Sequence, residues 1–382
     1  MRLFFARETD PQETRAPLLP TDAATLTKLG AEIVVQAGMG QSIHVEDDEY
    51  ERAGARLSTD RLMAMTGAEM VLRMGIPPAE DISLLVEGCI HVSLLDPFNN
   101  SDAIRQLAQR KVSAISLDMI PRTTLAQKMD VLSSQANLAG YVAVMLAAER
   151  LNRILPMMMT PAGTIQPARV FIIGAGVAGL QAIATARRLG ARVDAFDVRP
   201  EAHEQIRSLG AKPLVVELGQ TGQTRDGYAR QLTEEQLAAQ RQAMAKQCAQ
   251  SDIVITTAKV FGRKAPVIVT NEMLDGMKPG SIVVDLAVEA GGNVEASRLG
   301  REIDRKGVMI LGLPELQRRV PVPASAMFSS NLCNFVQHFW DKTAGHLVLN
   351  RDNEIIAGCL ITHNGQVVHP AVKESLVVSR EP

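Results

Sequence analysis

Residues 169–180 read RVFIIGAGVAGL, and this stretch decides the fold. Arg169–Ile173 is a short apolar run of strand type, Gly174, Gly176 and Gly179 follow at GxGxxG spacing, and Ala178–Leu189 has helical composition. Each glycine has a task in a strand–turn–helix unit that takes a dinucleotide. The first makes the tight turn, the second lets a pyrophosphate approach the backbone, and the third lets helix and strand pack closely. The helix N-terminus adds partial positive charge. The next strand, Ala191–Phe196, runs into Asp197, 23 residues beyond Gly174, where a carboxylate would bind the adenosine ribose hydroxyls. A carboxylate there repels a 2′-phosphate and favours NAD over NADP, but Arg199 stands two residues on and an arginine nearby can bind that phosphate.

Outward from this unit, the alternation continues in both directions. Downstream, a helix over Pro200–Leu209 and an extended Pro213–Val216 precede a polar, Gly-rich loop at 217–232. Then come an amphipathic helix over Thr233–Cys248 and strands at Ile253–Thr256, Val267–Val269 (with a helix after it), Ile282–Asp285 and Val308–Gly312. Upstream, strands are expected at Leu3–Ala6, Glu32–Gln36, Met70–Met74, Cys89–Leu94 and Ala114–Ser116, with helices such as Thr21–Leu29 and Asp102–Gln109 between them. Alternation of this kind means parallel strands joined by crossover helices. Between the two regions, Leu125–Ile154 has no Pro and one Gly and reads as a long connecting helix, ended by Pro156, Pro161, Gly163 and Pro167. In the tail, Ala324–Phe339 is helical, and Glu354–Ile361 and Gln366–Val368 flank the hairpin turn His363-Asn364-Gly365. A short hairpin is not stable alone, so the tail is expected to pack back onto the first domain. The fold class is α/β, with two Rossmann-like domains, parallel sheets and an interdomain nucleotide cleft. The expected boundaries are 1–134 plus 320–382 for the first domain and 135–319 for the NAD(H)-binding domain.

Composition limits the function. The chain has 382 residues and a net charge of −2, which argues against nucleic acid as a partner. The longest charge-free stretch, Val131–Ala148, contains Ser133, Ser134, Gln135 and Asn137 and reads as an amphipathic segment of a soluble protein. MRLFFARETD is too short in apolar residues for a signal peptide. Cys89, Cys248, Cys333 and Cys359 lie far apart without a CxxC pair, which fits a reducing cytoplasm and gives no metal signature.

Residues 118–141 read DMIPRTTLAQKMDVLSSQANLAGY. Here Gln127, Asp130, Ser133 and Asn137 recur at spacings of three or four, with Arg122 just before them, so in a helix the four would share one face. Two readings stay open: a solvated helix face, or hydrogen-bonding groups at a cleft edge where a nicotinamide amide would be held. An Arg122–Asp130 pair would be pre-organised by mutual attraction.

Three segments, PRTTLAQKMDVLSSQANLAGYVAV, PMMMTPAGTIQPARVFIIGAGVAGLQAIATARRLGA and VVDLAVEAGGN, resemble the NAD(H)-binding component of proton-translocating nicotinamide nucleotide transhydrogenase, in a fold family that includes alanine dehydrogenase. The resemblance covers nearly the whole chain. It implies a soluble, usually dimeric component that docks on a membrane-spanning component and a separate NADP(H)-binding component. Hydride would pass directly between NAD(H) here and NADP(H) on the partner, coupled to proton translocation in the membrane component. By the same resemblance, Arg122, Asp130 and Ser133 hold the nicotinamide end, and Gln127 lies beside the transferring hydride. Val177 and Asp197, Val198 and Arg199 bind the phosphate and adenosine side, with Ala258 and Lys259 also at the cofactor. Gly227 and Tyr228, in RDGYAR, belong to a loop that closes over the nucleotide.

Departures separate the relatives. Alanine dehydrogenases use a lysine and a histidine near the substrate, and the matching places here hold Arg73 and Asp96, which cannot take over those roles at neutral pH. Arg15 matches a residue that binds a substrate carboxylate in those enzymes, and here a structural ion pair with Glu13 or another carboxylate is expected instead. Pro314, Glu315 and Lys259 depart from the usual transhydrogenase pattern. The competing readings are a soluble NAD-dependent alanine or amino-acid dehydrogenase and a non-enzymatic NAD-sensing module. The resemblance therefore implies a separately encoded component of a membrane machine, cytoplasmic and peripheral at the cytoplasmic face of the inner membrane.

Overall fold

β1 (Arg2–Phe5) is apolar at consecutive positions because both of its faces are covered: Leu3 and Phe5 join one core, Phe4 and the following Ala6 the other. In the computed structural model, which describes residues 1–216 and 233–378, the chain forms two compact units. One contains Met1–Gln135 and the chain from Arg318 on, and the other contains Ala136–Gln317.

In the first unit, β2 (Glu32–Gln36), β3 (Arg56–Ser58), β4 (Met70–Leu72), β5 (Ile90–Ser93) and β6 (Ser113–Ser116) lie parallel to β1 in the order β3-β2-β1-β4-β5-β6. The second unit carries a small exposed hairpin, β7 (Met158–Thr160) and β8 (Gly163–Ile165). Its main sheet is built from β9 (Arg169–Ile173), β10 (Arg192–Phe196), β11 (Lys212–Pro213), β12 (Ile253–Thr256), β13 (Ile282–Asp285), β14 (Arg301–Arg305) and β15 (Val308–Gly312). The order is β11-β10-β9-β12-β13-β15-β14, parallel except for β14. Both sheets thus reverse direction of growth beside their first strand, at β1/β4 and at β9/β12. In open α/β sheets that switch point, at the strands' carboxyl ends, is where ligands bind.

The tail adds β16 (Trp340–Asp341), β17 (His346–Leu347), β18 (Leu360–His363) and β19 (Gln366–Val367). β18 pairs antiparallel with β6, which extends the first sheet and covers its edge. Asn364 and Gly365 both have positive φ, 48° and 81°, the turn conformation that brings β18 and β19 together.

Four expected elements differ. Glu354–Cys359 is a helix, not the first arm of the hairpin, because the Asn353 side chain accepts from the amides of Ile355 and Ile356 and starts a helical turn. Val267–Val269 is not a strand and contributes one bridge, Val269 to Val294. Pro213–Val216 forms only the two-residue β11 at Lys212–Pro213. The long helix begins at Val131 rather than Leu125 and ends at Arg150. Asp130 stops it from starting earlier: its carboxylate accepts from the amide (2.9 Å) and the hydroxyl (2.6 Å) of Ser133.

That helix is the one segment among the described residues long and apolar enough to cross a membrane by length and composition. Its first turns are tied into the first unit instead. Gln135 donates to the Ala324 carbonyl and accepts from Arg15, and Ser134 donates to Asn331. Further along, Gly140 sits so close to the start of the helix Val177–Arg188 that a Cβ would fall inside the Ala178 carbonyl.

Candidate functional site

The turn after β9 carries out the division of labour expected of its three glycines. Gly174 has φ +98°, and a Cβ there would lie 2.5 Å from the Thr257 hydroxyl, which itself donates to the Gly174 carbonyl. A Cβ on Gly179 would penetrate the Gly174 carbonyl oxygen and come 2.9 Å from its carbon. Around the Cβ position of Gly176 there is nothing within 4 Å. Gly174 and Gly179 are therefore glycines for packing, and Gly176 is a glycine facing open space. Gly176 is also the N-cap of the helix Val177–Arg188 and supplies no side chain to its first amides, so these remain available to an anion. Val177 opens that helix, partly exposed.

Asp197, just past β10, is 9% exposed. Its Oδ2 accepts from the Ala175 amide (2.7 Å) and from Arg199 Nη2 (3.0 Å), and its Oδ1 from the Arg199 amide (2.9 Å) and Arg199 Nε (2.9 Å). Burial pushes its carboxyl pKa up, but the Arg199 guanidinium and the two amides outweigh burial and hold it below the ordinary value, so it is ionised. Val198, between the two, packs against the core of the unit.

The third wall of this edge is the segment after β12. Ala258 is held by Asn293, whose side-chain oxygen accepts from the Ala258 amide (3.0 Å) and whose amide group donates to the carbonyls of Ala258 and Pro266 (both 2.9 Å). Asn293 is in turn placed by Asp285, fully buried at the end of β13, which accepts from the Asn293, Val294 and Ala287 amides and from the Thr256 hydroxyl. Glu289 joins two of the unusual residues: it pairs with Lys259 Nζ at 3.2 Å and accepts from the Glu315 amide at 3.1 Å. Asp285, Glu289 and Asn293 all lie in the quoted VVDLAVEAGGN motif, yet sequence reasoning assigns them no role. The signal that could find them is an acid at a strand's carboxyl end followed by Gly291 and Gly292, both at positive φ.

The structure therefore brings Gly174, Gly176, Val177, Gly179, Asp197, Val198, Arg199 and Ala258 to one sheet edge of the second unit, with Lys259 on its margin. Gly227 and Tyr228 lie outside the described residues. In the first unit, Gln127 is in a 3-10 turn, Asp130 precedes the helix, and Ser133 is within it, so Gln127, Asp130, Ser133 and Asn137 do not form a stripe along one helix. Arg122 and Gln127 are exposed, and Asp130 is bound to Ser133.

At the corresponding switch point of the first unit, ion pairs bind the loops after β1 and β4 beside a cavity of about 230 Å³ lined by Glu8, Glu13, Arg15 and Gly38. Glu8, after β1, pairs with Arg73, after β4, and accepts from the amides of Met74 (2.8 Å) and Gly75 (3.1 Å). Arg73, 1% exposed, also binds Asp81, which Arg61 grips from the other side. Arg15 is held by Glu13 through Nε (2.7 Å) and Nη2 (2.6 Å). The charged side chains at that edge are thus committed to one another, and among the described residues the GxGxxG turn lies only after β9.

Asp118, after β6, accepts from the Ser116 hydroxyl and from the Asp96 amide (2.7 Å), and burial pushes its pKa up from 3.8 to about 6. The unfolded chain then ionises first as pH rises, so this group stabilises fully below about pH 4 and its contribution is lost as pH approaches and passes 6. Between pH 5 and 7 the loss is about 1 kcal/mol. Urea unfolding of wild type and Asp118→Asn at both pH values should show the variant losing less stability with rising pH, and equal losses would contradict the assignment.

Two family models match: Alanine dehydrogenase/PNT, N-terminal domain, over residues 5–139, and Alanine dehydrogenase/PNT, C-terminal domain, over residues 143–370. An NAD(P) transhydrogenase subunit alpha component of Rhodospirillum rubrum is 41% identical over 379 residues, 97% of this chain and 99% of that one. The crystal structure of transhydrogenase from Sinorhizobium meliloti superposes with a TM-score of 0.84 at 43% identity, covering 97% of this chain and 100% of that one. An alanine dehydrogenase of Staphylococcus saprophyticus is 26% identical over 390 residues, 99% of this chain and 98% of that one. With both halves matched and near-complete coverage by these relatives, the chain belongs to the alanine dehydrogenase/PNT family, with greater similarity to these transhydrogenase proteins than to this alanine dehydrogenase.

Proposed function

We propose that this chain is the NAD(H)-binding subunit of a proton-translocating transhydrogenase, passing hydride directly between NAD(H) bound here and NADP(H) bound on a partner subunit. The observation that carries the reading is the open space at Gly176, framed by the uncapped amides of the helix Val177–Arg188 and by the ionised Asp197. A dinucleotide fits that set: the pyrophosphate is matched by the amides and the adenosine side by Asp197, Val198 and Arg199. The bound nicotinamide supplies the hydride chemistry. Such a transfer needs no general acid or base, so the protein's role is placement. Arg122, Asp130 and Ser133 hold the nicotinamide end, Gln127 stands beside the transfer path, and Ala258, Lys259, Gly227 and Tyr228 complete the nucleotide's surroundings. The domains are 1–134 plus 320–382 and 135–319. The subunit works as a homodimer, peripherally at the cytoplasmic face of the inner membrane, with a membrane-spanning subunit coupling the transfer to proton translocation.

The alternative, an amino-acid dehydrogenase, is disfavoured by the Glu8–Arg73–Asp81 network, which commits Arg73 to buried carboxylates. The test mixes the purified chain with an NADP(H)-binding subunit and follows reduction of an NAD analogue by NADPH. Transfer that requires both proteins is expected. No transfer, with alanine oxidised by this chain alone, would overturn the reading. In the same assay Asp130→Asn should lose transfer at least tenfold while NADH affinity changes by less than threefold, because the Ser133 contacts that set this corner are disturbed. Unchanged transfer at saturating nucleotide would remove Asp130 from the site.

A further inference from the structure

Glu289 stands between the segments that follow β12 and β15, because β13, which leads into it, lies between those two strands in the sheet. Its Oε1 accepts from the Glu315 amide at 3.1 Å and its Oε2 from Lys259 Nζ at 3.2 Å, so each oxygen holds a different segment. The carboxylate starts from a fixed base. Glu289 lies in the 3-10 turn Val288–Ala290, closed by Gly291 at φ +99°. The Ala290 carbonyl accepts from the Ala265 amide at 2.7 Å, and Asp285 holds Ala287 before the turn and Asn293 after it. Glu315 has φ +41°, a left-handed value that a non-glycine residue keeps only where its surroundings hold it, and the Glu289 carboxylate is one such hold.

Lys259 lies two residues beyond Thr257, whose hydroxyl donates to the Gly174 carbonyl. Its backbone is fixed as well: its amide donates to the Thr257 carbonyl at 3.0 Å, and Asn293 grips Ala258 before it. A lysine ammonium carries three donors on a flexible four-carbon stem. Glu289 takes one of them and restricts the stem, and among the described residues the ammonium has no other partner. The Lys259 and Glu289 side chains are 44% and 32% exposed, so their pairing adds little to stability, and its consequence is placement. Resting on the dinucleotide reading above, we infer that Glu289 is a positioning residue for the nucleotide: it holds the Lys259 ammonium at the β9/β12 edge with two donors left for the phosphates. Without that hold the stem has to be ordered when the nucleotide binds, at the expense of affinity. The carboxylate's own charge works the other way and repels phosphate, so Glu289 favours binding only while Lys259 is present.

The test is fluorescence titration of the full chain with NADH at low and at high salt, for wild type, Glu289→Gln, Lys259→Met and Lys259→Met/Glu289→Gln, with thermal unfolding of each to confirm the fold. Glu289→Gln keeps an oxygen for the Glu315 amide and removes the charge that holds Lys259. It should weaken NADH binding about three- to fivefold, the size of effect an exposed ion pair supplies. Lys259→Met should weaken it at least as much and flatten its dependence on salt. In the Lys259→Met background the same Glu289→Gln change should leave NADH affinity unchanged or raise it, because the unpaired carboxylate only repels the phosphates. A Glu289 with a merely structural task would instead weaken binding in both backgrounds. Lys259→Gln serves in place of the methionine variant should that one fail to fold. The inference is overturned if Glu289→Gln fails to weaken NADH binding with Lys259 present, if it still weakens binding without Lys259, or if Lys259→Met binds NADH like wild type. Absence of NADH binding by wild type would instead defeat the dinucleotide reading itself.

Discussion

Gly176→Ala is expected to leave the fold intact and to weaken NADH binding at least tenfold, whereas Gly179→Ala should lose stability as well as binding. The two substitutions add the same methyl group within one turn, and their surroundings set the outcome. At Gly176 φ is −77°, a value alanine adopts freely, and nothing lies within 4 Å of the new atom. Replacing glycine at such a position lowers the entropy of the unfolded chain and stabilises by about 0.4–1 kcal/mol. The added methyl group then projects into the space assigned to the pyrophosphate, so only binding suffers. At Gly179 the methyl group would overlap the Gly174 carbonyl, which is backbone and cannot rotate aside. The helix must move off β9, at a cost of about 3 kcal/mol for overpacking of this kind, and the turn at Gly174 moves with it. Thermal unfolding and NADH titration on the two variants separate the effects. A Gly176→Ala protein that binds NADH like wild type would place the phosphates elsewhere, and a Gly179→Ala protein with unchanged Tm would show that the turn can relax.

The reason this turn is legible in the sequence is that each of its constraints is local. GxGxxG, the apolar run before it and the acid after the next strand are separated by fewer than thirty residues, and each is dictated by a contact within the unit. β9, β12, β13 and β15 are legible for a related reason: strands buried on both faces are continuous apolar runs, such as Ile282–Asp285 read from IVVD. β14 is not legible, because an antiparallel edge strand reading REIDR presents four charges and one apolar residue. Glu354–Cys359 misleads because Ile355 and Ile356 favour a strand by type, while the Asn353 cap, worth about 1 kcal/mol, decides for a helix. Asp130 misleads in the opposite sense. Its three-residue spacing from Ser133 is that of a helix face, and equally that of a cap and the residue it caps. The periodicity alone cannot separate the two, and the second places Asp130 before the helix.

Asp285→Ala should be the most damaging single substitution at the second unit's sheet edge, and its effect should travel to the nucleotide. Asp285 touches no proposed ligand. It is fully buried and takes hydrogen bonds from three backbone amides and one hydroxyl, at 3.0–3.2 Å. Alanine leaves the three amides without acceptors in a place water does not reach, while the Thr256 hydroxyl keeps its long contact to the Val284 carbonyl, and each orphaned donor costs about 1–3 kcal/mol. Relaxation of the 287–294 segment recovers some of this, so a net loss of about 4 kcal/mol is expected. Asp285→Asn is the sharper experiment. Its oxygen can still serve the Thr256, Ala287 and Asn293 donors at Oδ1, but its amide group must then face the Val294 amide, donor against donor. A smaller loss of about 2 kcal/mol follows. The loss does not stay local, because Asn293 holds Ala258 at both its amide and its carbonyl. When Asn293 shifts, the segment after β12 shifts, and Thr257 no longer braces the Gly174 turn through its hydroxyl. NADH affinity should therefore fall in Asp285→Asn under conditions where the variant is still fully folded. Asn293→Ala should reproduce that affinity loss with a smaller loss of stability, since it removes the link to Ala258 but leaves the Asp285 carboxylate and its backbone donors in place. A stable Asp285→Asn protein with unaltered NADH affinity would break the chain of contacts from β13 to the glycine turn and confine Asp285 to a purely local task.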